Sequence, residues 1–401
     1  MMKKMIIAVM AGCVLLYSAS GYGVSQEAAS PSQDPGVSVS GKIFFQWRHT
    51  LQNLDSGLYE EQENVSTFEL TRAYIVLGYK IDDIWSVKVI LDAGNDGEAD
   101  DTDTRYRVFI KNAYGQAAFG LLGTRVTFRF GVIPIPLLSL MYQVSDNRWL
   151  QSNYIDNAKA LIYRTTGSAA DIDQKLSLDY TADIGASLGI NFRDVISVTG
   201  TATNGNGFKK TKETESDADG EDDANAYSGL LTITPVPYLY LAGFYRFQGT
   251  QDQTYGKDNY ITYYGGMIAV TTAPVKIGVS YILGEYSYKK EAALPDDSAL
   301  LHKYSILDAF VNINLLQWTG IPVLIAGSLG WGVTEFDSGF GIYDGFEAEV
   351  LIWNAGLGYQ FNKKVRMMAY YENIRRMSDD IEALDPGRDE RTFYIKTEVT
   401  F

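Results

Sequence analysis

The sequence predicts an all-β protein, a transmembrane antiparallel up-and-down β-barrel of about 16 strands with a long inserted loop after strand 5. Three observations predict it. Apolar and polar residues alternate in segment after segment from about residue 37 onward. The connections between these segments alternate between tight turns and longer polar stretches. The last segment is an amphipathic strand that ends on an aromatic residue, Phe401.

The chain starts Met1-Met2-Lys3-Lys4, continues with an apolar run from Met5 to Tyr17, and reaches small residues at Ser18-Ala19-Ser20-Gly21. A basic start, a short apolar core and small residues are the parts of a secretory signal peptide, expected over 1–23 with cleavage after Gly23 or slightly earlier. The apolar run is shorter than the ~20 residues a bilayer-spanning helix needs. Met10-Ala11-Gly12-Cys13 loosely resembles a lipoprotein box, but Val14-Leu15-Leu16 carry the apolar core past it. Cys13 is the only cysteine, so a chain cleaved at Gly23 has no disulfides or cysteine-based sites. Residues 24–36 read as a short polar lead-in, and 37–401 as the barrel.

Alternation is clear in Trp85, Val87, Val89 and Leu91, and again in Val126, Phe128, Phe130 and Val132. It recurs in Leu351, Trp353, Ala355, Leu357 and Tyr359, and in Val365, Met367 and Ala369. A period of two places these residues on one face of a strand. No segment between them reads as an amphipathic helix. Tight turns fall near 81–83, 120–123, 193–194, 235–237, 271–274, 315–320 and 362–364. Longer stretches fall near 51–67, 95–104, 134–175, 204–225, 249–258, 286–301, 335–346 and 378–390. Eight long and seven short connections give sixteen strands with both termini on one side. In the last strand Phe393, Ile395, Val399 and Phe401 share one parity, and Thr392, Lys396, Glu398 and Thr400 the other.

Composition agrees. Aromatics are 13% of the chain with 28 Tyr, and charged residues are 21%. That suits a sheet with one face to lipid and one to water. The formal charge is −15, or −17 once Lys3 and Lys4 are removed. Much of the acid lies in two loop clusters, Asp96 to Asp103 and Glu213 to Asp223, which read as solvated surface. They lack the ligand spacing of a calcium loop, and no cofactor or metal is expected.

If the apolar parity faces lipid, the other lines the lumen. The early strands then contribute Lys42, Arg48, Arg72, Lys88, Arg105, Arg107, Lys111, Arg125 and Arg129, a basic wall whose direct electrostatics favour anions. The long connection after strand 5 holds Ile135, Leu137, Leu138, Leu140, Met141, Tyr142, Trp149 and Tyr154. It is too apolar for a loose tail and is expected to fold against the barrel interior, a lid over the loop end being the other reading. Its Asp146, Arg148, Asp156 and Lys159 would narrow the lumen across from the basic wall.

This layout resembles the general and substrate-selective porins. Phe68 to Gly78, Trp85 to Val89, and Arg129-Phe130-Gly131-Val132-Ile133-Pro134 resemble early strands of the phosphate-selective porin O/P family, over roughly residues 37–175. The dense lysine run of the phosphate-specific loop has no counterpart, since only Lys159 and Lys175 occur there. The resemblance implies a homotrimer in the cell outer membrane that passes anions, phosphate among the possible ones. It also implies that Phe401 is the assembly signal read by the barrel assembly machinery. The function expected is a water-filled channel for passive diffusion of small hydrophilic solutes and ions, preferring anions; the alternative is a barrel adhesin or structural protein with functional loops. The expected partners are outer-membrane lipid and lipopolysaccharide outside, and small ions and solutes within. An enzyme is not expected: the two histidines, His49 and His302, lie in no catalytic motif. Nucleic acid is not expected on an acidic surface.

Overall fold

A computed structural model describes residues 36–53, 65–95, 106–146, 148–150, 163–165, 172–175, 181–205, 207, 225–251, 258–288, 300–337, 346–377 and 389–401. The signal and lead-in expectations, and both acidic loop clusters, lie outside these residues.

Sixteen antiparallel strands close into one barrel. They are β1 (Gly36–Asn53), β2 (Ser66–Lys80), β3 (Trp85–Asn95), β4 (Tyr106–Leu121), β5 (Thr124–Pro134), β8 (Ala182–Phe192), β9 (Ile196–Thr203), β10 (Asn225–Val236), β11 (Leu239–Gln251), β12 (Asp258–Thr271), β13 (Val275–Tyr288), β14 (Leu300–Asn314), β15 (Val323–Asp337), β16 (Phe346–Gln360), β17 (Val365–Met377) and β18 (Asp389–Thr400). The connection between β5 and β8 carries a helix, α1 (Pro136–Ser145), and a small ribbon of β6 (Tyr163–Thr165) and β7 (Ile172–Lys175). A second short helix, α2 (Leu316–Thr319), forms one of the turns. The expected count of eight long and seven short connections holds.

Local chemistry sets the turns. Asp82 Oδ1 accepts from the N–H groups of Ile84 and Trp85, and Asn362 Oδ1 from those of Lys364 and Val365. Such side-chain-to-backbone bonds hold a tight reversal without a long loop. Leu122 and Gly123 both take positive φ, 50° and 77°, as a two-residue hairpin turn matched to strand twist requires.

The outward parity is apolar all the way round. Ile75, Val87, Phe128, Leu188, Val198, Ile268, Ile325 and Leu357 are all exposed. A continuous exposed apolar band would be a liability in water and is the lipid-facing surface of a membrane barrel.

Closure joins β1 to β18, with Lys42 opposite Thr400 and Ile43 opposite Val399. Phe401 extends this seam: Gly41 N–H donates to the Phe401 carbonyl at 3.1 Å, and Phe401 N–H to the Gly41 carbonyl at 3.0 Å. A Cβ on Gly41 would lie 2.3 Å from the Phe401 ring, so glycine here makes room for the terminal aromatic.

Candidate functional site

The inserted loop enters the barrel. Pro136 begins α1, where its missing N–H costs nothing. Asp146, left-handed at φ 55°, ends it, with its N–H donating to the Tyr142 carbonyl at 3.0 Å. Leu137, Leu138, Leu140, Met141 and Val144 are all buried. They form one cluster with lumen-facing side chains that include Phe244, Tyr263, Met267, Ile282, Ile306 and Ile352. Burying five such side chains is worth on the order of 10 kcal/mol as an upper bound. The helix is therefore a fixed part of the lumen and not a lid that swings freely. Further along, Trp149 and Leu150 join a second buried cluster with Phe44, Leu324, Met368 and Tyr370.

With α1 sealed against β10–β14, open space remains between the helix and β1–β5. It is a cavity of about 460 Å³, lined by Lys42, Lys88, Lys111 and Arg148 together with tyrosines, aliphatic residues and small polar side chains, and among the described residues its lining contains no carboxylate.

Two β-bulges shape this wall. Pairing of β1 with β2 slips between Phe44 and Phe45, leaving Thr71 as the extra residue. Glu69 and Arg72, an odd spacing apart, can then both face inward: Glu69 pairs with Arg48 at 2.9 Å and accepts from Gln46, while Arg72 pairs with Asp92 at 3.2 Å. Pairing of β3 with β4 slips between Ile90 and Leu91, so Lys111 is inserted beside Asn112 and both are buried inside. Lys111 Nζ donates to the Tyr74 hydroxyl at 3.1 Å and lies 3.8 Å from Asp92. Arg72 donates to the same hydroxyl at 3.0 Å.

The remaining cations divide by environment. Lys42 reaches Glu398 at 3.4 Å. Arg129 donates to Gln116 and sits over the Tyr114 ring at 5.7 Å. Lys88, on the inward parity of β3, has no hydrogen-bond or ion-pair partner among the described residues. Arg107 and Arg125 share the inward parity and are exposed, Arg125 at the turn end. Arg148, from the loop, donates to the Tyr142 hydroxyl and stacks over its ring at 4.4 Å. Arg105, Asp156 and Lys159 lie outside the described residues.

Asp146 is engaged by cations of the later strands, which sequence reasoning did not single out. Its carboxylate takes a bidentate pair from Arg366 of β17, at 3.0 and 3.2 Å, and lies 3.5 Å from Lys276 of β13. Arg366 also holds Glu398 at 3.0 Å and stacks over Trp149 at 4.4 Å. Asn312 donates to the Ser145 carbonyl and Lys396 to that of Leu150. Burial alone would raise the Asp146 carboxyl, but Arg366 and Lys276 outweigh it and hold it well below the usual carboxylate range. With 41% of its side chain still exposed, the latch is partly screened by lumen water. It borders a second cavity, about 620 Å³, toward the turn end.

Sequence reasoning missed Asp92, Tyr74 and Glu69 as partners of the cations, and Arg366, Lys276 and Lys396 as anchors of the loop. Parity with Lys88 and Arg72 could have found Asp92 and Tyr74. Nothing local points to the loop anchors, which lie more than a hundred residues from what they hold.

No protein-family model matches the chain, and no curated protein does. Solved structures do. The outer membrane channel DcaP of Acinetobacter baumannii aligns at TM-score 0.59 and 12% identity, covering 94% of this chain and 99% of that one. The anion-selective porin from Comamonas acidovorans aligns at 0.55 and 10%, covering 92% and 100%. OmpT, an outer membrane protein of Vibrio cholerae in its trimer form, aligns at 0.53 and 11%, covering 92% and 99%. At these identities the likeness is one of fold: the chain has the sixteen-strand architecture of outer-membrane porins.

Proposed function

We propose that this protein is a diffusion channel of the outer membrane that prefers small anions. The observation that carries the reading is the lining of the 460 Å³ cavity, which among the described residues has four cations and no carboxylate. An ion crossing beside α1 passes within direct reach of this charge. Salt at 0.15 M screens charge beyond ~8 Å, so the charges that line the lane count most for an ion inside it. Asp92 and Glu398 stand behind the lining cations and offset part of their charge. Lys88 has no such partner among the described residues, so its charge faces the lane without that offset. The resemblance of the early strands to anion-passing porins points the same way. Assembly as a homotrimer, the form named for the Vibrio protein, belongs to the same reading.

The test is the zero-current potential of purified channels in a planar bilayer under a KCl gradient. Replacing Lys88→Glu and Arg129→Glu together should move it toward cation selectivity. An unmoved potential would show that ions are chosen elsewhere.

A further inference from the structure

We infer that the cavity beside α1 binds organic monoanions with an apolar or aromatic body, and that it is built for these more than for strongly hydrated inorganic anions. This rests on the anion-preferring reading and narrows it to a ligand class.

Three features point to the class. The first is the lining: between its cationic tips the surface is mainly apolar, with Val76, Ile90 and the rings of Tyr74, Tyr114 and Tyr142 interrupted by the small polar groups of Ser40, Asn112, Ser139, Thr181 and Thr400. An inorganic anion pressed against the apolar part of this surface loses hydration that carbon atoms do not replace, whereas an apolar body gains by leaving water. The second is size. About 460 Å³ lies within the ~300–1,000 Å³ of small-molecule sites, which pair mostly apolar walls with a few placed polar groups. The third is how the charges are committed. Arg72 and Lys111 already converge on the Tyr74 hydroxyl and on Asp92, which fixes the ring as a platform. Lys88 faces the same space from β3 without a counter-ion among the described residues. One uncommitted ammonium beside aromatic and aliphatic walls fits one carboxylate on an apolar body.

Phenylacetate and acetate carry the same carboxylate and differ in the body, so they form the test pair, with inorganic phosphate as third probe. Equilibrium dialysis against the detergent-solubilised, heat-modifiable barrel reads binding without transport. Phenylacetate should bind at least about tenfold more tightly than acetate or phosphate at equal ionic strength, the range expected for burying a ring. It should also interrupt chloride current in bilayers where acetate does not. Lys88→Gln should weaken phenylacetate binding about tenfold or more, the worth of a charge-assisted contact, with the barrel still heat-modifiable. Ile90→Thr should weaken phenylacetate and leave acetate unchanged. Equal binding of acetate and phenylacetate, or phenylacetate binding unmoved in both variants, would overturn the inference. The zero-current potential in KCl alone tests the underlying anion reading separately, because no organic anion enters that measurement.

Discussion

The early wall, β1–β5, and the later wall, β10–β17, obey the same alternation but present different chemistry to the same lumen. Inward positions of the early wall carry Lys42, Arg72, Lys88, Lys111 and Arg129. Those of the later wall carry Phe244, Tyr263, Met267, Ile282, Ile306 and Ile352 where the helix packs, with the cations Lys276 and Arg366 set toward the turn end and committed to Asp146. The difference is explained by α1, which covers the later wall with Leu137, Leu138, Leu140, Met141 and Val144 and leaves the early wall open. Inward parity therefore fixes direction and not polarity: what an inward residue must be depends on whether it meets water or the loop.

The largest expected effect comes from breaking the sealed half. Leu138→Asp places a carboxylate in a site with no exposed surface and should cost about 3–5 kcal/mol. Single-channel conductance should rise as α1 leaves the wall, and an unchanged conductance would show that the helix is not held by this contact. The outer faces of the two walls should not differ. Phe128→Arg on the early side and Ile268→Arg on the later side should each cost ~2–4 kcal/mol if near the bilayer midplane, read as folding efficiency in lipid vesicles. A cost on one side alone would point to a protein contact, not lipid, covering the other.

The seam where the walls meet is the next test. Gly41→Val pushes a side chain into the Phe401 ring and should cost about 1–3 kcal/mol as overpacking. Deleting Phe401 removes the two backbone bonds it shares with Gly41 and should likewise lower the amount of heat-modifiable barrel in outer membranes. A smaller effect is expected at the Asp146 latch. Its carboxyl titrates below the usual range, so the contribution is full above the unfolded value near ~4 and fades only as pH falls through the lower folded value. Current noise in the wild type should stay constant from pH 7 to about 4. Asp146→Asn should raise it throughout, because Arg366 and Lys276 then lose their shared partner.

Much of this was legible in the sequence. The turns at Asp82 and Asn362 and the entry of an apolar loop after β5 all follow from local pattern, because a period of two and turn chemistry are local properties. The bulges at Thr71 and Lys111 were not legible, since a bulge is defined by the neighbouring strand's register. The sealed wall escaped for a related reason: Ile282 or Ile352 facing a helix looks the same in sequence as a residue facing lipid. The Asp146–Arg366 pair spans 220 residues, and no local pattern could assign it.

The central claim is that the open early wall chooses the ions. It is tested most directly by the zero-current potential of the wild-type channel in a KCl gradient, measured beside Lys88→Gln. The account predicts an anion-selective sign in the wild type and a smaller magnitude in the variant. A cation-selective wild type, or a potential indifferent to Lys88, would contradict it.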